Sequence, residues 1–434
     1  MSTSRVQTHI QSTPLWMACT AIALAVLAGF VFALTILLIR GVGIWGINVP
    51  VGWGFAITNF IWWIGIGHAG TFISAILFLT RQEWRTSISR ISETMTIFAV
   101  ICAGLFPLIH VGRPWLAYWI FPYYDTMNLW PQFRSPLVWD LFAVSTYLLT
   151  SLFYFYLGLI PDLAIYRDQA RSRFQEKFYG ALAMGWRGSQ SQWNQYRSAY
   201  IILAAIATPL VISVHSIVGL DFAVANVAGW HSTILPPFFV GGAIFSGFAM
   251  VLTLCIPLRR ALRLEKIITL RHLDLCARFI MAMGWIVVYG YLMEAFTAYY
   301  SGDPFEIALV QNRYFGSYAV LAWLMIFCNG VAPQILWSAR IRQNPLILFF
   351  LSLVINVGMW LERFIIVVTG LYRDYLPSSW HVFIPTPWDW AFLFGSMGLF
   401  ASLYLVFTRI FPILPITELR HTLVHAPDEI EEAP

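Results

Sequence analysis

Ten runs of about 20 or more largely apolar residues recur along this 434-residue chain. A bilayer core about 30 Å thick needs a run of about that length for each helical crossing. On that rule the spans fall at roughly 15–40, 52–80, 92–112, 136–160, 198–220, 236–258, 276–300, 315–339, 345–371 and 385–411. The chain is 59% hydrophobic and 11% charged, with a mean hydropathy of +0.70, which excludes a water-soluble domain of this size. Lipid offers no hydrogen bonds to the backbone, so runs of this length cross as helices. The expected fold is an all-α polytopic membrane protein with ten transmembrane helices.

An even number of spans puts both termini on one side. Of the 26 Lys and Arg, 19 fall at that side's loops and termini; five (Arg40, Arg113, Arg134, Arg313 and Arg373) mark the other. This bias orients the chain with both ends cytoplasmic. The first apolar run is too long for a signal-peptide core and reads as a retained first helix. The loop 161–197 holds "FYGALAMGWRGSQSQWNQYR" (178–197), which reads as an amphipathic helix lying in the interface. The tail "HAPDEIEEAP" reads as a frayed acidic end.

Two short segments resemble each other: "AGTFISA" (Ala69 to Ala75) and "GGAIFSG" (Gly241 to Gly247). They predict a parallel repeat of two four-helix bundles, spans 2–5 and 6–9, with helices 1 and 10 flanking. The units are then a cytoplasmic segment 1–14, helix 1 in 15–51, a first bundle 52–220, a second bundle 221–371, helix 10 in 372–411 and a cytoplasmic tail 412–434.

Five cysteines are present, with no CxxC pair and no CxxCH haem attachment. No iron–sulfur cluster, haem or metal site is therefore expected in this chain. No nucleic-acid partner is expected either; membrane lipid is.

A charge at the bilayer centre costs about 2.5–3.5 kcal/mol on insertion scales, so the few ionisable groups in the spans need a reason. Most are placed in the outer half. His110 and Arg113 close span 3 on one helix face. Asp140 follows the start signal Ser135–Pro136. His215 is placed near the outer end of span 5, with Asp221 just after it. Glu294 lies about 9 Å and Glu362–Arg363 about 12 Å inside their outer ends, at 1.5 Å per residue. His68 alone is placed near the midplane. Bland readings stand beside these. Arg113, Arg134 and Arg373 serve equally as interface anchors, Glu362–Arg363 as a structural ion pair, and His68, between Gly67 and Gly70, as a packing histidine. His110 with Asp140 is harder to dismiss. Such a pocket suits quinol oxidation, where histidine and carboxylate accept hydroxyl protons and the electrons leave to a partner.

These strings also resemble a known family. "GIGHAGTFISAILFLTRQEWRTSISR" (65–90), "MTIFAVICAGLFPLIHVGRPWLAYWIFP" (95–122), "FRSPLVWDLFAVSTY" (133–147), "TPLVISVHSIVGLDFAV" (208–224), "GWHSTILPPFFVGGAIFSGFAMVLTL" (229–254), "NVGMWLERFIIVVTGLYRD" (356–374) and "LPSSWHVF" (376–383) are similar to the NrfD/PsrC family of polysulfide-reductase membrane subunits. The ten-span count resembles the C subunit of alternative complex III (ActC type). The resemblance implies a menaquinol-oxidising site near the periplasmic face. It also implies a periplasmic iron–sulfur subunit, a second homologous NrfD-type membrane subunit and multihaem c-type cytochrome subunits as partners. It further implies that His110, Asp140 and Asp221 are catalytic, with Arg113 joining them in quinol binding. His68, His215, Glu294, Glu362 and Arg363 are candidates for a proton path, and proton translocation is an open expectation.

Three rivals are weighed. A transporter would show broken helices at matching midplane positions, and no paired Gly/Pro interruptions appear. A haem b protein would need two histidines at one depth, and the estimated depths of His68, His110 and His215 differ. A non-catalytic anchor, or a proton-conducting subunit of the same complex, is the remaining alternative.

Overall fold

The computed structural model describes residues 12–120, 133–373 and 375–419. The first eleven residues, the loop 121–132 with the end of its aromatic run, and the acidic tail lie outside the described residues. Among the described residues, ten helices are long and apolar enough to cross a membrane. They are α1 (Pro14–Arg40), α2 (Phe55–Leu79), α3 (Ser89–His110), α4 (Pro136–Asp168), α5 (Gln190–Ala223), α6 (Leu235–Ala261), α7 (Leu270–Ser301), α8 (Ala319–Trp337), α9 (Pro345–Leu371) and α10 (Pro387–Ile410). No strand occurs among the described residues. The ten expected spans are thus met one for one, and the chain is a multi-pass membrane protein.

Helices α2 to α5 pack in a ring, each on the next, and α5 returns to α2. Helices α6 to α9 do the same. The two groups meet mainly along α2 and α6, while α1 pairs with α10, which lies against α2 and α3. Small residues set these seams, because helices in lipid associate through close packing rather than hydrophobic burial. A Cβ on Gly247 of α6 would sit 2.5 Å from the Ala69 Cβ and 2.9 Å from the Ile66 carbonyl oxygen of α2. A Cβ on Gly70 would overlap the Thr96 hydroxyl of α3. The two similar segments thus meet where Ala69 of α2 packs on Gly247 of α6. On the flank, Gly395 and Gly398 of α10 admit Phe30 and Val26 of α1.

The loops depart from expectation in two places. The interfacial helix expected at 178–197 is broken. Helix α4 runs through Pro161 to Asp168, a short helix occupies Arg173–Leu182, and α5 begins at Gln190. The break has local causes. Met184, Gly185 and Gly188 take positive φ, and Ser189 with Gln192 forms a capping box that starts α5. The second departure is a helix at Pro304–Phe315, started by the Asp303 side chain on the Phe305 amide, where a plain outer loop was expected. Two spans also contain π turns, Phe72–Ile76 in α2 and Phe327–Val331 in α8. Such turns free backbone groups and often mark functional positions.

Gly247→Ala is expected to cost about 1–3 kcal/mol by overpacking the α2–α6 seam. Ala69→Gly in the same chain is expected to return part of that loss. Thermal melts of the wild-type, single and double variants in detergent check this; an unchanged melting temperature for Gly247→Ala would rule out the seam as drawn.

Candidate functional site

The alternation of spans leaves two ends to the bundle, one rich in Lys and Arg and one poor in them. At the basic-poor end, His110 is the last residue of α3, Asp140 the fifth of α4, and Asp221 lies two residues before the end of α5. Asp221 is thus inside α5, not in a loop beyond a span ending at 220. Pro136 at the first helical position, behind Ser135, starts α4 and fixes the level of Asp140. The carboxyl groups of Asp140 and Asp221 lie close enough to interact directly. Two carboxylates that close repel each other when both are charged, so the pair is suited to hold a proton between them. One oxygen on each, Asp140 Oδ1 and Asp221 Oδ1, is buried and has no protein partner. The same is true of His110 Nδ1. The His110 ring stacks on buried Trp45, with centroids 6.1 Å apart and planes 12° apart, which fixes how it is presented. Arg113 lies in the turn beyond His110 and is exposed.

Deeper in the bundle is a second polar group. His68 and His215 touch edge to face, with ring centroids 4.5 Å apart, and both are fully buried. Residue counts alone put them at different depths. Counting from helix ends ignores the relative tilt and offset of α2 and α5, and the contact corrects it. Rings in direct contact leave no gap between them for a haem. His68 Nδ1 donates to the Ile64 carbonyl at 2.7 Å. That fixes the tautomer of a neutral ring and leaves Nε2 as an acceptor, near the Val211 carbonyl but without a hydrogen bond. Neither nitrogen of His215 has a partner. Its ring lies beside Phe239, at 5.8 Å, and the Arg363 guanidinium caps the same phenyl ring at 4.3 Å.

Arg363 Nη1 is 2.8 Å from Glu362 Oε1, without the angle of a hydrogen bond. The Tyr291 hydroxyl donates to the other Glu362 oxygen, and Asn329 Nδ2 donates to Tyr291 at 2.9 Å. Asn329 sits in the π turn of α8. A Cβ on Gly242 would come within 2.8 Å of Arg363 Nη2, so glycine is what lets the guanidinium reach α6. His68, His215, Arg363 and Glu362 are therefore joined through Phe239, and Tyr291 and Asn329 extend the series.

Glu294 does not contact that series. Arg313, counted from the sequence only among the five basic residues of the outer ends, is buried and reaches Glu294 Oε1 at 2.7 Å. Burial works most strongly against the Arg313 charge, but Glu294, Tyr314 and Glu306 together outweigh it and hold the guanidinium above its ordinary pKa. Nearby, Glu306 accepts from the Gly229 amide at 2.8 Å and lies 3.4 Å from His231. Sequence reasoning missed Trp45, Tyr291, Asn329 and Arg313 as site neighbours. Only Asn329, a polar residue amid the apolar run of α8, gave a readable signal.

Among the described residues no group of three His, Cys, Asp or Glu side chains is gathered to hold a metal ion. A family model described as "Polysulphide reductase, NrfD" matches residues 45–373, well over half of the chain. One relative is a putative membrane subunit, the C subunit, of dimethyl sulfoxide reductase from Halobacterium salinarum. It is 24% identical over 371 residues, covering 80% of this chain and 78% of the relative. Another is the C subunit of selenate reductase from Mesobacillus selenatarsenatis, 20% identical over 399 residues, covering 88% of this chain and 91% of the relative.

Replacing Arg313 by Met leaves Glu294 buried without its partner and is expected to cost about 3–5 kcal/mol. The double variant Arg313→Met with Glu294→Leu is expected to be the more stable of the two. Comparing their melting temperatures checks it; equal losses would mean that the pair is not coupled.

Proposed function

The chain belongs to the polysulphide reductase NrfD family, and from that premise we propose that it is the subunit at which a membrane oxidoreductase complex oxidises quinol. The proposed substrate is menaquinol and the proposed assembly is of the alternative complex III kind. The observation that carries this reading is the set of three orphaned polar atoms at one end of the bundle: His110 Nδ1, Asp140 Oδ1 and Asp221 Oδ1. Buried polar groups without partners are costly, and a hydroxylated ligand is a direct way to satisfy them.

The proton bookkeeping fits. Oxidation of a quinol to a quinone releases two electrons and two protons. An Asp140–Asp221 pair that already holds one proton has room for one more. His110 Nδ1 is the acceptor for the second. Its stacking on Trp45 keeps the ring from turning away. Arg113, being exposed, suits the surface of a partner subunit better than the ring of the substrate. The chain carries no redox-cofactor motif, so the electrons pass to a peripheral iron–sulfur subunit, with multihaem c-type cytochrome subunits beyond and a homologous membrane subunit alongside. The Lys/Arg asymmetry supports a periplasmic position for this end, in an inner membrane. The His68–His215–Arg363–Glu362 series is proposed to serve proton movement across the middle of the bundle; Glu294, held by Arg313, is proposed as a neighbouring charge rather than a relay.

Asp140→Asn keeps the shape of the pair but removes an acceptor. It is expected to lower quinol oxidation by about 10² or more, with the complex still assembled. Turnover by the purified variant complex, beside its subunit composition, checks this. Undiminished turnover would point to a non-catalytic anchor instead.

A further inference from the structure

A cavity with room for about one water molecule lies between α2, α3, α4 and α5, lined by Thr71, Ser74, Glu93, Thr96, Ser151 and Tyr154. We propose that it is a water-holding proton-uptake site in the basic half of the bundle, with Glu93 as its titrating group and the Thr71–Tyr147 hydroxyl pair as its exit toward His68. This inference extends the reading of the central series as a proton route, and names the group that supplies it.

The geometry supports a water site. Three lining hydroxyls have committed their protons to backbone carbonyls. Ser74 donates to Gly70 at 2.8 Å, Thr96 to Gly67 at 2.7 Å, and Tyr154 to Ser74 at 2.7 Å. Their oxygens therefore face the cavity as acceptors, which suits a donor such as water. Ser151 Oγ is buried beside the Tyr147 hydroxyl with no hydrogen bond of its own. The π turn Phe72–Ile76 lies just past Thr71 and contains Ser74.

Glu93 is the loosely held member. Its residue is 6% exposed, yet its nearest polar neighbours are distant: the Tyr200 hydroxyl at 3.5 Å and Arg90 Nε at 3.6 Å. Arg90 is instead engaged by Asp162 at 3.1 Å and by the Gly158 carbonyl at 2.8 Å. The remaining charged groups around Glu93 are Arg85 and Glu418, paired at 3.2 Å, and Glu418 is partly exposed at the basic end. With Arg90 neutralised elsewhere, Glu93 can change charge without breaking a tight ion pair. On the other side of the cavity, Thr71 Oγ1 and the Tyr147 hydroxyl are 2.8 Å apart, and the Tyr147 ring lies 5.6 Å from the His68 ring.

The step balances. A proton from the basic end converts the Glu93 carboxylate to the acid. The acid passes that proton to cavity water, and on to the Thr71–Tyr147 pair, each oxygen accepting one proton as it releases another. The proton that Tyr147 releases, held at rest by the Gly67 carbonyl at 3.0 Å, goes to the unpartnered Nε2 of His68. Glu93 returns to the carboxylate.

The test uses the intact complex carrying Glu93→Gln, Thr96→Val or Ser151→Ala. In pH-difference infrared spectra of the resting complex, a carboxyl C=O band is expected that shifts in D₂O, disappears in Glu93→Gln and moves in Thr96→Val or Ser151→Ala. In proteoliposomes, turnover-linked proton uptake from the basic-end side is expected to fall about tenfold in Glu93→Gln. Turnover with an uncoupler present is expected to stay within about twofold. Absence of the band overturns the proposal, as does unchanged uptake, or uptake that follows sodium rather than protons. Equal loss of uptake and of uncoupled turnover also overturns it, marking Glu93 as a structural partner of Arg90. The infrared arm needs no turnover, so it reads this site even if undiminished turnover in Asp140→Asn shows that quinol is oxidised elsewhere.

Discussion

Burying charge and hydrogen-bonding groups in a medium that cannot solvate them governs this structure. The lipid-facing surface is apolar and makes few demands; each ionisable side chain placed among the helices makes a large one. Most demands are met by a partner from another helix: Arg90 by Asp162, Arg313 by Glu294, Arg342 by Asp274 at 2.7 Å. Each ties two distant stretches of chain together. These pairs constrain which helices are neighbours as firmly as apolar packing does, because a broken pair leaves a stranded charge.

Against that background the unmet demands stand out. Among the buried polar atoms left without partners, three groups bear on function: the His110, Asp140 and Asp221 atoms at the basic-poor end, the two imidazoles at mid-bundle, and Ser151 beside the small cavity. A fold built only for stability would fill such positions with apolar side chains. The three places succeed one another from one end of the first bundle toward the other, at its surface with the second. Substrate chemistry at one end and proton supply from the other are proposals that give each of them a use.

Close approach is what allows this density of polar groups. Gly70, Gly242 and Gly247 let α3, α9 and α2 come near enough for short side chains and an arginine to meet. Two π turns, in α2 and α8, break the regular ladder beside the Glu93 cavity and at Asn329. Neither contains a proline, and the turn in α2 contains no glycine either, so a search for Gly/Pro interruptions does not find that one.

Some of this is legible in the order of residues alone. Run length fixed the number of spans, because bilayer thickness sets helix length whatever the neighbours are. Composition fixed the helical class, and the rarity of charge in the spans picked out His110, Asp140, Asp221, His68, His215, Glu294, Glu362 and Arg363 as residues needing a reason. Partnership was not legible. Two histidines 147 positions apart (215 − 68) touch because α2 and α5 are offset along their axes, and no residue count reports an offset. Glu294 found Arg313 rather than the Glu362 series because a helix formed in a connecting loop and turned its arginine inward. The sequence determined which side chains lipid could not tolerate alone; the packing of ten helices decided which of them found company, since that depends on tilt and rotation, set by contacts between residues far apart in the chain.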